Sequence, residues 1–125
     1  MPAGYFVVLP ATVRGNATVV AQAADVTLTA SDMSKIHTNT GAGASKAWTL
    51  PAASACAGCA IKVQITAAQP VFLTPISTDG VFLGGSGVAS KTCTIAGVIG
   101  NYADLYSDGV DWIIVNYSGV LTKAA

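Results

Sequence analysis

Charge is what this chain most conspicuously lacks. Only 10% of its 125 residues are charged, where a soluble domain averages about 25%. Glutamate is absent, so every acid is an aspartate: Asp25, Asp32, Asp79, Asp104, Asp108 and Asp111. Six basic residues balance six acidic ones, which leaves no net field to steer the chain onto nucleic acid or an anionic membrane. Long apolar runs are missing too. Nothing approaches the roughly 20 residues of a spanning helix, and the alternating segments of about 10 residues with aromatic girdles that mark an outer-membrane barrel are absent. No basic region precedes the apolar stretch Tyr5 to Leu9, and Pro2 and Pro10 bracket it, which reads against a signal peptide.

Cysteine and histidine are almost as sparse. Cys56, Cys59 and Cys93 cannot all pair within one chain, which argues against a secreted disulfide framework and for synthesis in the cytoplasm. Cys56-Ala-Gly-Cys59 is a lone CxxC with no second pair and with the single His37 well away in sequence. It is a weak zinc signal, it lacks the βαβ setting of a thioredoxin-type motif, and buried structural thiols are expected. His37 lies in Lys35-Ile-His-Thr-Asn, whose alternation sends Ile36 inward and His37 to solvent.

Catalytic patterns fail one by one. There is no GxSxG elbow, HExxH helix or glutamate pair, and an Asp-rich calcium loop would need a DxDxDG spacing. Gly84-Gly-Ser-Gly87 lacks the Lys-Ser/Thr of a phosphate loop. Asp108 and Asp111 flank a turn, where local hydrogen bonding to backbone accounts for them. Trp48, Trp112, Tyr102, Tyr106 and Tyr117 are not interleaved with Lys and Arg, so core packing and subunit contacts suit them better than nucleic-acid binding. The chain reads as a protein with no catalytic residues, metal or cofactor.

What is present is strand and turn chemistry. At 12.5 kDa the chain holds one domain with room for a real core. Val26-Thr-Leu-Thr, Ala60-Ile-Lys-Val-Gln-Ile-Thr and Cys93-Thr-Ile-Ala alternate as half-buried strands do. Val71-Phe-Leu, Val81-Phe-Leu and Trp112-Ile-Ile-Val predict strands buried on both faces. Turn residues punctuate these at Thr40-Gly-Ala-Gly, Thr78-Asp-Gly, Leu83-Gly-Gly-Ser-Gly, Ala96-Gly and Ser107-Asp-Gly, and Asp108-Gly109 is the strongest hairpin signal. The spacing predicts an all-β fold, an antiparallel β-sandwich of jelly-roll type over residues 24–121. A short helical turn is allowed near Ser31, and residues 122–125 form a short tail.

Residues 1–23 differ from the rest. Gly4, Pro10, Gly15 and Asn16 surround an apolar patch, Tyr5, Phe6, Val7, Val8 and Leu9, which predicts an extended N-terminal arm that binds a partner by strand addition or groove packing. An edge strand of the chain's own sandwich is the other reading of the same stretch. With a mean hydropathy of +0.57 and no net charge, a free monomer would be poorly soluble. The composition therefore implies a surface covered by copies of itself or by a larger assembly.

Asp25-Val-Thr-Leu-Thr-Ala-Ser-Asp-Met-Ser-Lys-Ile-His-Thr-Asn-Thr-Gly-Ala is followed in order by Trp48-Thr-Leu-Pro-Ala-Ala, by Cys59-Ala-Ile-Lys-Val-Gln-Ile and by a Gly-rich stretch. Ala103-Asp-Leu-Tyr-Ser-Asp-Gly-Val-Asp-Trp-Ile-Ile-Val closes the series. The series resembles the β-sandwich modules of tailed-phage head decoration (cement) proteins and tail fibres, over roughly residues 24–119. The resemblance implies a homotrimeric, jelly-roll-like virion protein on the capsid exterior, made in the host cytoplasm. Its partners would be its own copies and the major capsid protein. A tail-fibre or receptor-binding structural module is the alternative it carries.

Overall fold

A computed structural model describes residues 18–76, 79–83, 92–119 and 121–123. Among these, eleven strands fall into two sheets. They are β1 (Val19–Ala21), β2 (Val26–Thr27), β3 (Ile36–Thr38), β4 (Lys46–Thr49), β5 (Ala60–Gln64), β6 (Val71–Thr74), β7 (Val81–Leu83), β8 (Cys93–Ile95), β9 (Tyr102–Ser107), β10 (Trp112–Ser118) and β11 (Leu121–Lys123). The first sheet runs β1-β3-β5-β9-β10-β7 and the second β11-β8-β6-β4-β2.

From β1 to β6 the chain changes sheet at every connection. As a result β1, β3 and β5 stack in parallel in one sheet, and β2, β4 and β6 in parallel in the other. Each crossover between parallel neighbours contains a strand of the opposite sheet, so short connections suffice where parallel pairing needs a dozen or more residues in all. After β6 the order changes: β8 pairs antiparallel with β6 and β11, and β9 pairs antiparallel with β5 and β10. β7 lies parallel to β10 at the sheet's far edge. The two-sheet sandwich agrees with the sequence, but the purely antiparallel jelly roll does not. The turn residues do reverse the chain; between β1 and β6 they reverse it into the facing sheet rather than into a hairpin.

Alternation places the core between the sheets. Ile61, Leu105 and Ile114 align across β5, β9 and β10, and Trp48, Leu73 and Cys93 across β4, β6 and β8. All are buried in one cluster that also holds Leu28, Leu50, Val63, Ile65, Val71, Ile95 and Trp112. Each such side chain contributes roughly 1.5–3 kcal/mol on burial, enough for a core that needs no staple. The strands expected to be buried on both faces are covered on one: Phe72, Phe82 and Ile113 point outward and are half-buried.

Local departures have local causes. His37 is fully buried rather than facing solvent: its ring packs edge-on against Trp48 at 6.3 Å, and Ile36 takes the outer face. The Asp108-Gly109 hairpin is present, with β9 and β10 joined by residues 108–111 and Gly109 at φ +96°. The helical turn is a single 3-10 turn, Ala30–Asp32, entered from Thr29, whose N–H donates to the Asp32 carboxylate at 2.8 Å. β1 falls inside the stretch read as arm, and β11 reaches into the stretch read as tail.

Candidate interaction surface

Strand direction decides which connections share an end. β1, β3 and β5 finish beside the start of β9 and the finish of β10, in the row Ala21, Thr38, Gln64, Tyr102, Ser118. In the facing sheet the matching row is Lys46, Val71, Ile95, Leu121. The connections 22–25, 39–45, 65–70 and 96–101, together with Gly119, therefore gather at one end of the sandwich.

These connections are fastened to one another. Asn39 is fully buried, and its Nδ2 donates to Ala67 O (3.1 Å) and Gln69 O (2.9 Å). Its Oδ1 accepts from Thr66 N–H (2.8 Å) and Ala67 N–H (2.9 Å). One side chain thus satisfies four backbone groups of the 65–70 connection. A hydroxyl chain, Thr38 to Thr40 (2.8 Å) and Thr40 to Thr66 (2.7 Å), runs alongside. The 96–101 connection is held by Gly100 N–H to Ile65 O (3.0 Å), Ile65 N–H to Asn101 O (2.8 Å) and Asn101 Nδ2 to Ala96 O (3.1 Å). Gly97 lies so close to the 65–70 connection that a Cβ there would stand 2.5 Å from the Gln69 carbonyl carbon. Such a surface is organised before any partner arrives, so little ordering entropy is lost on binding.

Its chemistry is apolar and nearly uncharged. Val98, Ile99 and Tyr117 are 61%, 65% and 43% exposed, amid exposed Ala23, Ala24, Thr40, Ala44, Ser45 and Thr66. Among the described residues Asp25 and Lys46 are the charges at this end, opposite in sign, and Asp25 Oδ1 accepts from Ala47 N–H at 2.9 Å. The opposite end carries Asp32, Lys35, Asp79, Asp108 and Asp111. There the Asp108 carboxyl is held below its ordinary range by the N–H groups of Asp111 and Val110, and that of Asp32 by the Thr29 N–H. Asp79 and Asp111 cap backbone N–H groups of Ala53 and Gly80. On the outer face of the first sheet, Lys62 Nζ lies 3.8 Å from Asp104 Oδ1 and 4.1 Å from the Tyr102 ring centre. Burial pushes the Asp104 carboxyl up, and Lys62 opposes that shift.

The remaining sequence candidates scatter. Tyr5, Phe6, Val7, Val8, Leu9 and Gly84 to Gly87 lie outside the described residues. Trp48 and Trp112 are core, the latter donating from Nε1 to Pro51 O at 3.0 Å. His37 Nε2 donates to Asp32 O at 2.7 Å. Cys56 and Cys59, read from sequence as thiols, form a disulfide, because the four-residue turn between the 53–55 turn and β5 brings their Cα atoms to 5.4 Å. Among the described residues no three His, Cys or Asp side chains converge as metal ligands. No family model, curated protein or solved structure matches this chain. Sequence reasoning passed over Val98 and Ile99, although the pattern Gly97-Val-Ile-Gly100 held a signal: an apolar pair between two turn glycines has no strand in which to hide. It also passed over Asn39, whose role depends on a connection 27 residues further along the chain.

Proposed function

We propose that this chain is a virion structural subunit, a head-decoration protein. It docks by its charge-poor end on the assembled shell of major capsid protein and stabilises that shell as a homotrimer. The observation that carries the reading is the segregation of the surface. A hydrogen-bonded end exposes Val98, Ile99 and Tyr117 beside a single Asp25 and Lys46, while Asp32, Asp79, Asp108 and Asp111 collect at the other end, where Val19 and Val110 are the exposed large apolar side chains among the described residues.

Magnitude argues for several copies acting together. Covering these three side chains is worth roughly 1–2 kcal/mol each, about the least that association costs in lost freedom. One subunit would therefore bind weakly, and three joined subunits strongly. The first described residues, leading into β1, lie at the end away from the docking surface. An arm bearing Tyr5, Phe6, Val7, Val8 and Leu9 would then reach a neighbouring subunit or the shell beside it. This reading assigns no catalytic residue, metal or cofactor, and a location on the capsid exterior.

The tail-fibre alternative draws on a different observation. Tyr102 and Tyr106 are half-buried on the outer face of the first sheet, beside Lys62, a surface on which a sugar ring could stack. Mixing the purified protein with undecorated heads tests both readings. Decoration predicts saturable addition by an oligomer, and a chain lacking residues 2–15 that no longer adds. Carbohydrate binding without affinity for heads would transfer the assignment to the fibre.

A further inference from the structure

The disulfide stands at the acidic end, apart from the proposed docking surface. Cys56 is 3% exposed, Cys59 is half-buried, and Ala57 and Gly58 between them are exposed. The turn is also held by bonds that owe nothing to sulfur. Gly58 N–H donates to Ser107 O (2.8 Å), Ser107 N–H to Cys59 O (2.9 Å), Ser107 Oγ to Ala53 O (2.8 Å), and Cys59 N–H to Cys56 O (2.9 Å). Closing so short a loop removes less entropy from the unfolded chain than a long one would, although Cys56 belongs to the core cluster and Cys59 packs against it. A bond with one half-buried sulfur partner, a short loop and a backbone held by its own hydrogen bonds has the character of an exchangeable disulfide rather than a structural one.

We propose that Cys56–Cys59 is a reversible thiol–disulfide exchange site whose reaction partner is a dithiol reductant. A thiolate of the partner attacks Cys59 Sγ, the Cys56–Cys59 bond breaks, and Cys56 leaves as a thiolate that takes up a proton. The partner's second thiolate then displaces Cys59 from the mixed disulfide, and Cys59 is protonated in turn. Two electrons and two protons have passed to the chain, and the partner departs as its own disulfide. The bond is therefore reduced in a reducing cytoplasm and re-formed outside it. The turn is joined to the β9–β10 hairpin through Gly58 N–H to Ser107 O and Ser107 N–H to Cys59 O.

Alkylation with iodoacetamide, read by intact mass, tests this on the full chain without denaturant. The oxidised protein should take no label. After dithiothreitol it should take two, on Cys56 and Cys59, while Cys93 stays protected in the core. Reoxidation should restore the unlabelled form. Hydrogen exchange at Gly58, Cys59 and Ser107 should quicken about tenfold on reduction, with Trp48 and Leu73 unchanged. Labelling without reductant, or reduction that needs denaturant, overturns the proposal. The Cys56→Ser/Cys59→Ser chain should fold and reproduce the exchange pattern of the reduced protein; an unfolded variant would make the bond a staple and end the proposal.

Discussion

Replacing Asn39 by Ala tests whether the docking end is rigid because of one buried side chain. The substitution deletes four hydrogen bonds of 2.8–3.1 Å. It also takes the Asn39 partner from the Thr66 and Ala67 N–H groups and from the Gln69 C=O, while Ala67 O keeps the Gln69 N–H at 2.6 Å. At about 1 kcal/mol net per bond, the loss approaches 4 kcal/mol; water entering from the exposed side of the connection returns part of it, giving about 3 kcal/mol. With a urea slope near 1.5 kcal/mol/M for a domain of this size, the midpoint should fall by about 2 M at unchanged slope. Hydrogen exchange should localise the added opening to the Thr66 and Ala67 amides, with the β9–β10 ladder less affected. A midpoint within about 0.5 M of the parent would refute the reasoning, since it would mean that Asn39 fills space but fastens nothing.

Further outcomes follow from the same geometry. Gly97→Ala should cost about 2–3 kcal/mol, measured by thermal melting, because the new methyl meets Gln69 and Pro70 backbone that cannot step aside. Acid should destabilise the fold through Asp108 and Asp32. Their folded carboxyls sit below the ordinary value of 3.8, so the stability they contribute is present above that value and lost as pH falls through the lowered one. Asp104 acts in the opposite sense: its raised carboxyl favours the folded state when protonated, and that contribution fades as pH rises from 3.8 through the raised value. Urea midpoints across pH should therefore show a flatter acid limb in Asp108→Asn and a flatter decline above it in Asp104→Asn.

How much of this was legible in the sequence depends on how local each feature is. The Asp108-Gly109 hairpin was legible because its signal lies within the turn: the Asp108 carboxylate binds the Val110 and Asp111 N–H groups, and Gly109 takes the positive φ. Strands β2, β5 and β8 were legible by alternation, and β9 as the segment leading into that hairpin. The parallel stacking of β1, β3 and β5 was not, because turn residues signal a reversal without saying which sheet receives the chain. His37 was misread by one step of a two-residue period. Ile36 and His37 compete for the inner face, and the imidazole prevails because the Asp32 carbonyl and the Trp48 ring are there to receive it. The docking end could be read only in part. Val98 and Ile99 are visible between glycines, whereas the gathering of four connections at one end emerges only once strand directions are known.

The central claim, that the charge-poor end is a docking surface on a virion shell, is tested most directly by co-sedimentation with undecorated heads, comparing the parent chain with Val98→Asp/Ile99→Asp. Both side chains are more than half exposed, so the variant should fold with stability within about 0.5 kcal/mol of the parent. Burying two carboxylates against apolar ground should weaken each contact by several kcal/mol and leave the variant in the supernatant while the parent pellets with the heads. A folded variant that pellets as the parent does would contradict the account.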